Sequence, residues 1–249
     1  MKIDVWQKIW ESYQFDAKND LWELYWEDSQ PRWKQAMKFF HQKWGGLKGR
    51  HVIEIGCGRA TEALLAAREG ASVTLVDINK IALNLAEKRF KYYGVDKKLQ
   101  LIQSDVLKLD KKLLGKFDLC MSLGLAEHFI GINRQKVIDS HAMTLKPGGL
   151  AMISVPNRYS IPYRLWMKRE QVFGKWPYGL ELPYSPKELI EKVEIARMRT
   201  IFLMGSPTIN DVFLLFIPPK FKRLRSLILT TSFDSCLGYI LTALAQKTH

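Results

Sequence analysis

A doubly wound, mostly parallel α/β sheet is the fold this chain predicts, on three observations. From residue 51 short apolar runs alternate with stretches of helical period; runs such as Val73–Val76 and Ala151–Val155 are rich in apolar and β-branched residues, as strands covered on both faces must be; and the first run ends directly in a glycine turn that opens a helix. In such a sheet the ligand lies at the carboxyl ends of the strands.

Residues 1–46 precede the sheet as a helical cap. Trp6/Trp10 and Trp22/Trp26 are each spaced four apart and share a helix face, Pro31 separates two helical stretches, and Gly45-Gly46 ends the second. Six of the eight tryptophans lie here, so these helices need something apolar to cover: the core of the following domain, a bound ligand as a lid, or both. Residues 47–249 form the main domain. Strands are expected at Val52–Ile55, Ser72–Asp77, Leu99–Ser104, Phe117–Leu123 and Leu150–Val155, with helices at Thr61–Glu69, Lys80–Tyr93 and Asn133–Leu145 between them. An irregular insertion on the ligand side, residues 156–185, carries prolines and aromatics with little periodicity. Ser185-Pro-Lys-Glu188 then reads as a capped helix start, and strand-like runs at Thr200–Met204, Val212–Ile217 and Tyr239–Ala245 complete the sheet.

Composition narrows the class. With 249 residues and 47% hydrophobic content the chain has enough apolar side chain for one sizeable core. Cys57, Cys120 and Cys236 are far apart and odd in number, which supports neither a disulfide framework nor a zinc site, and no metal is expected. The N-terminus breaks its apolar positions with charges and lacks the apolar run of a secretory signal, so a cytoplasmic protein is expected. Ser226–Gln246 approaches membrane-spanning length but carries Asp234 and Gly238, and is read as core. Net charge is +13, with fourteen basic and seven acidic residues in 156–249 and the densest knot at Lys220–Arg225. Such a knot suits RNA, an anionic membrane touched peripherally, an acidic substrate, or simply solvent.

The glycine turn indicates a nucleotide. Glu54-Ile-Gly56-Cys-Gly58 lets a backbone approach a ligand without an intervening Cβ, and the helix that follows is expected to offer unpaired N–H groups. A dinucleotide dehydrogenase would have a third glycine at position 61, which is Thr. Asp77, ending the second strand, is placed to accept both hydroxyls of a ribose; Asp105, after the third, is placed to accept an adenine amino group. Two carboxylates at successive strand ends favour adenosine over a dinucleotide.

Taken with Ser104-Asp105, with Phe117–Leu123 followed by Glu127-His128, and with Leu145-Lys-Pro-Gly-Gly-Leu-Ala-Met-Ile-Ser-Val155, the chain resembles the class I S-adenosylmethionine-dependent methyltransferases over residues 50–155. The resemblance implies a Rossmann-like, seven-stranded sheet with its last strand antiparallel, S-adenosylmethionine as methyl donor and S-adenosylhomocysteine as product. It also implies that Glu54, Gly56 and Gly58 shape the pocket for the amino-acid part, that Asp77 binds ribose, that Ile78, Asp105 and Val106 hold adenine, and that Ser122 and Leu123 close the methionine side. Ala60 departs from the pattern, where many members have glycine.

Transfer from a sulfonium needs mainly alignment and exclusion of water, and where the acceptor loses a proton a histidine is a suitable base near neutrality. His128 is the candidate for that base or for a group that orients the acceptor; Tyr159, Tyr163 and Trp176 are candidates for the acceptor wall. After the fourth strand, Leu123-Gly-Leu-Ala-Glu-His128 lacks the Pro-Pro-aromatic pattern of a nucleic-acid amino-methyltransferase. A small-molecule acceptor is therefore expected, with an RNA-modifying enzyme and a non-catalytic S-adenosylmethionine-binding partner protein as alternatives.

Overall fold

In the computed structural model the described residues are 3–208, 231 and 233–248; Lys220–Arg225 and Val212–Ile217 lie outside them. Three helices come first, α1 (Ile3–Ser12), α2 (Ala17–Ser29) and α3 (Pro31–Trp44). The stretch before Pro31 is thus two helices, because the Asp16 carboxylate accepts from the Lys18 N–H at 2.9 Å and restarts the chain as an N-cap. Pro31 occupies the first turn of α3 and Gly45, at φ 72°, ends it.

The alternating region follows as β1 (His51–Ile55), α4 (Thr61–Arg68), β2 (Ser72–Asp77), α5 (Lys80–Tyr92), β3 (Leu99–Gln103), β4 (Phe117–Leu123), α6 (Ile132–Thr144) and β5 (Leu145–Pro156). Then come α7 (Ile161–Val172), α8 (Pro186–Ile195), β6 (Met198–Gly205), a short helix at Asp234–Leu237 and β7 (Ile240–Lys247). The seven strands form one sheet in the order β3-β2-β1-β4-β5-β7-β6. Pairings are parallel from β3 through β5, and β7 runs antiparallel to both β5 and β6. This is the expected doubly wound sheet, and its order reverses between β1 and β4, where such sheets open a crevice.

Strand residues alternate between two cores. Ile53, Ile55, Cys120 and Ile153 face α6 and α8 with Val137 and Leu189, whereas Val52, Leu75, Leu119 and Met152 face α4 and α5 with Leu64 and Phe90. Leu24, Trp33 and Phe40 of α2 and α3 join the second core at 2% exposure or less, so the N-terminal helices share the sheet's packing.

Two expectations are corrected. Residues 156–185 are not wholly irregular, since α7 starts after Ser160 with Pro162 in its first turn. Only Tyr163 of this helix is buried, and Ile161, Leu165 and Val172 are exposed, so no inward apolar stripe marked it in the sequence. The fifth strand begins at Leu145 rather than Leu150, running through the two glycines. Ile240–Lys247 of the former membrane candidate is a strand, and among the described residues no helix is long and apolar enough to cross a membrane.

Candidate active site

A cavity of about 470 Å³ opens at the carboxyl ends of β1, β2 and β4, where the strand order reverses. Its lining includes Glu54, Gly56, Gly58, Asp77, Ile78, Asp105, Val106, Leu123 and His128. The topology therefore brings His128 and all but one of the candidates for the methyl-donor site to one place. Ser122 is the exception: it is fully buried on the other side of β4, with its Oγ 2.8 Å from His141 Nε2. His141 Nδ1 meets the Val137 carbonyl at 2.8 Å and so carries the hydrogen, leaving Nε2 to accept from the serine hydroxyl. Burial pushes the His141 pKa down to about 4, consistent with a neutral structural ring. Period-two alternation along β4 is the reason: Leu123 faces the cavity, so its neighbour faces away.

At the glycine turn the backbone is tightly determined. Gly58 has φ 47°, and a Cβ there would lie 3.0 Å from the Trp10 ring; a Cβ on Gly56, at φ 62°, would lie 2.5 Å from Leu125. Ala60 also adopts a left-handed conformation, at φ 53° and ψ 43°, so the position where many relatives place glycine keeps that backbone with a methyl group attached.

Several N–H groups of the turn and of the helix start already have acceptors within the protein. The Asp77 carboxylate accepts from the Gly58 N–H at 2.9 Å and from the Asn79 N–H at 2.8 Å. Glu54 Oε2 accepts from the Ala63 N–H at 3.0 Å, and the Ala60 N–H donates to the Cys57 carbonyl. Carboxylates predominate at this end of the cavity, where Glu27, Glu54, Asp77 and Asp105 line it with Arg32 and Arg59, both arginines being paired with acids. Burial raises the pKa of Asp77, opposed by the N–H groups of Asn79 and Gly58, and raises that of Glu54 well above the usual range. Asp105 caps the 3-10 turn Val106–Lys108 through the Leu107 N–H at 2.9 Å. Such a surface repels a pyrophosphate and suits a cationic ligand with hydroxyl groups.

Residues 52–149 match the methyltransferase domain family. The chain is 29% identical to the ubiquinone biosynthesis O-methyltransferase of Coxiella burnetii over 164 residues, which is 64% of this chain and 68% of that protein. To an enzyme of the same name from Escherichia coli it is 31% identical over 120 residues, 48% of each chain. Among solved structures, magnesium protoporphyrin IX methyltransferase from Synechocystis PCC 6803, with S-adenosylhomocysteine bound, superposes with a TM-score of 0.63 at 14% identity, covering 99% of this chain and 94% of that one. These comparisons support a class I S-adenosylmethionine-dependent methyltransferase.

The rest of this methyltransferase's cavity is built from segments that are remote in sequence. Trp6, Trp10 and Trp26 of the N-terminal helices line it, so these helices supply both core and cavity wall. They are anchored by charge: Asp20 of α2 binds Arg59 of the glycine turn at 3.2 Å and Arg89 of α5 at 2.7 Å, while Arg32 of α3 is paired with Glu27 and with Glu62 of α4.

At the opposite, aromatic end lies the 3-10 turn Ala126–His128. His128 Nδ1 lies 2.8 Å from the Leu180 carbonyl and therefore carries the hydrogen, which leaves Nε2 as an acceptor, 3.7 Å from Glu127 Oε1. Burial lowers the His128 pKa, and the ring packs edge-on against Trp6 at 4.8 Å. Burial, with the nearby charge of Glu181, holds the Glu127 carboxyl well above the usual range, and burial pushes Glu181 to about 7.

Sequence reasoning missed Glu181, Tyr178 and Tyr239, all of which line the cavity. The expected wall residues do not: Tyr159 is exposed, Trp176 packs behind Tyr178, and Tyr163 is buried against Tyr239 with its hydroxyl on Glu181. Proximity to Pro156 and to the chain's aromatics was the only sequence signal, and it fell on the neighbours of the residues that matter. Among the described residues no group of three or more His, Cys, Asp or Glu side chains is arranged to hold a metal.

Proposed function

We propose that this methyltransferase acts on a small-molecule acceptor, with the glycine-turn end of the cavity holding the methyl donor and the aromatic end holding the acceptor. The observation that carries the first assignment is the acidic lining: Asp77 accepts from the Gly58 N–H of the turn, Glu54 accepts from the Ala63 N–H of α4, and both line the cavity with Asp105. This suits the sulfonium and ammonium groups of S-adenosylmethionine and opposes the pyrophosphate of a dinucleotide. In this reading Glu54, Gly56 and Gly58 border the amino-acid part, Asp77 accepts from the ribose, Ile78 and Val106 flank the adenine ring, Asp105 accepts from its amino group, and Leu123 borders the methionine chain. Ser122, turned toward His141, supports β4 from behind.

Bound S-adenosylmethionine supplies an activated methyl group, which passes in line to an acceptor lone pair while the carbon–sulfur electron pair stays on sulfur. Trp6, Trp10 and Trp26 exclude water and restrict the acceptor's approach, where alignment alone is worth effective molarities of about 10⁵–10⁸ M. His128, with Nε2 as its acceptor nitrogen, orients the acceptor or receives its proton. The relatives named as ubiquinone biosynthesis O-methyltransferases support a small acceptor with an aromatic or apolar body, which the indole and phenol walls accommodate.

Calorimetric titration tests the donor assignment. S-adenosylhomocysteine is expected to bind and NADP⁺ to give no heat, and Asp77→Ala is expected to weaken S-adenosylhomocysteine at least about tenfold, near 1.4 kcal/mol. Binding unchanged in Asp77→Ala would remove Asp77 from the site. Incubation with methyl-labelled S-adenosylmethionine, followed by separation of RNA, lipid and small-molecule extracts, tests the acceptor; label confined to RNA would overturn the small-molecule reading.

A further inference from the structure

Most buried acids of this chain have visible partners. Asp20 holds two arginines, Glu27 and Glu62 share Arg32, and Asp234 accepts from Thr208 and Thr231 N–H groups; the half-buried Glu188 likewise holds Arg134 and Arg158. Glu127 and Glu181 stand apart. Neither is within ion-pair distance of a lysine or arginine among the described residues, and Glu127 Oε2 is buried in the cavity wall with no hydrogen-bond partner, its residue only 2% exposed. Glu181 receives only the Tyr163 hydroxyl. An unpartnered buried carboxylate oxygen is costly, so a fold that places Glu127 beside a second carboxylate answered only by a tyrosine hydroxyl leaves a strong demand for a positive or donor-rich group there.

We propose that this end is a subsite for a protonated amine, and that the methyl acceptor carries one. The inference rests on reading the cavity as a methyltransferase site and names the acceptor's chemistry. A primary ammonium has three N–H donors, and three acceptors converge on this end: the carboxylates of Glu127 and Glu181, and Nε2 of a His128 ring whose Nδ1–H is already spent on the Leu180 carbonyl. The walls are electron-rich rings, Trp6 and Tyr178 with centroids 6.2 Å apart and Tyr239 beyond them, and such faces attract a desolvated cation. A neutral phenol offers one donor to this set and leaves at least one buried carboxyl unanswered.

The test compares tyramine with 4-ethylphenol, the same ring with and without the ammonium, titrated into the full chain with and without S-adenosylhomocysteine and followed by tryptophan fluorescence. Tyramine is expected to bind at least tenfold more tightly, and Glu127→Gln and Glu181→Gln are each expected to abolish the preference while binding S-adenosylhomocysteine as the unmodified chain does. Equal binding of the two probes, including failure of both to bind, overturns the proposal, as does a preference that survives in both variants. Should a variant fail to fold, the comparison in the unmodified chain still decides. Failure of S-adenosylhomocysteine to bind the unmodified chain is a separate result, directed at the donor assignment, and leaves the amine comparison readable without it.

Discussion

The two ends of the cavity satisfy their charges differently. At the glycine turn, Asp77 and Glu54 accept from backbone N–H groups, and the arginines of α3, of the turn and of α5 are each paired with acids of α2 or α4. At the aromatic end Glu127 and Glu181 lie among rings, and no lysine or arginine among the described residues is within ion-pair distance of them. The polar groups of the first end are largely satisfied within the protein; those of the second are not, and on the proposed reading its completion is where an acceptor is selected.

Breaking the paired end has the largest expected effect. Arg32→Met strands Glu27 and Glu62 as buried, like-charged neighbours, and removing one partner from a buried ion pair costs about 3–5 kcal/mol. Thermal unfolding is expected to show a midpoint lower by roughly 6–20 °C. A midpoint unchanged within 2 °C, in the same rough terms, would mean that the N-terminal helices are not held through this residue.

The unpaired end is expected to behave oppositely with pH. Glu181 is raised from 4.5 to about 7 by burial, so the folded state favours its protonated form. Its stability contribution is fully present below the unfolded value and is lost as pH rises through about 7, with Glu127 shifted in the same direction. Between pH 5 and 8 the chain therefore loses stability, by at most about 3 kcal/mol from Glu181 because the group retains some solvent. Glu181→Gln, which stays neutral, is expected to remove the part of this slope that Glu181 contributes, in melting curves recorded at both pH values. A slope unchanged by the substitution would place its origin elsewhere, for instance at Glu54.

Ala60→Gly is the smallest effect. Glycine relieves a left-handed backbone worth about 1 kcal/mol but forfeits a buried methyl worth about 0.8 kcal/mol, so the melting midpoint should move by less than about 3 °C. A larger fall would show that the Ala60 methyl contributes more to packing than its backbone costs.

How much of this was legible in the sequence follows the same division. The strands, the glycine turn, Asp77, Asp105 and the post-β4 Glu127-His128 pair all sit at ends of regular elements, where hydrophobic period and chain order alone locate them. Glu181, Tyr178 and Tyr239 sit in the segments after β5 and before β7, where no periodicity says which side chain turns inward. α7 escaped notice for the reverse reason, since its apolar residues face outward.

From its sequence alone the chain determined a doubly wound sheet, a turn suited to an adenosyl ligand and a resemblance to one methyltransferase family, because alternation of short apolar runs with helices leaves few ways to bury both faces of a sheet. Only the tertiary structure decided that the Gly58 N–H is already held by Asp77, that Ser122 faces away, and that Trp6, Glu127, His128, Tyr178 and Glu181 meet at one end. These depend on long-range packing of segments up to about 175 residues apart, and local propensity carries no information on which distant side chains will share a cavity.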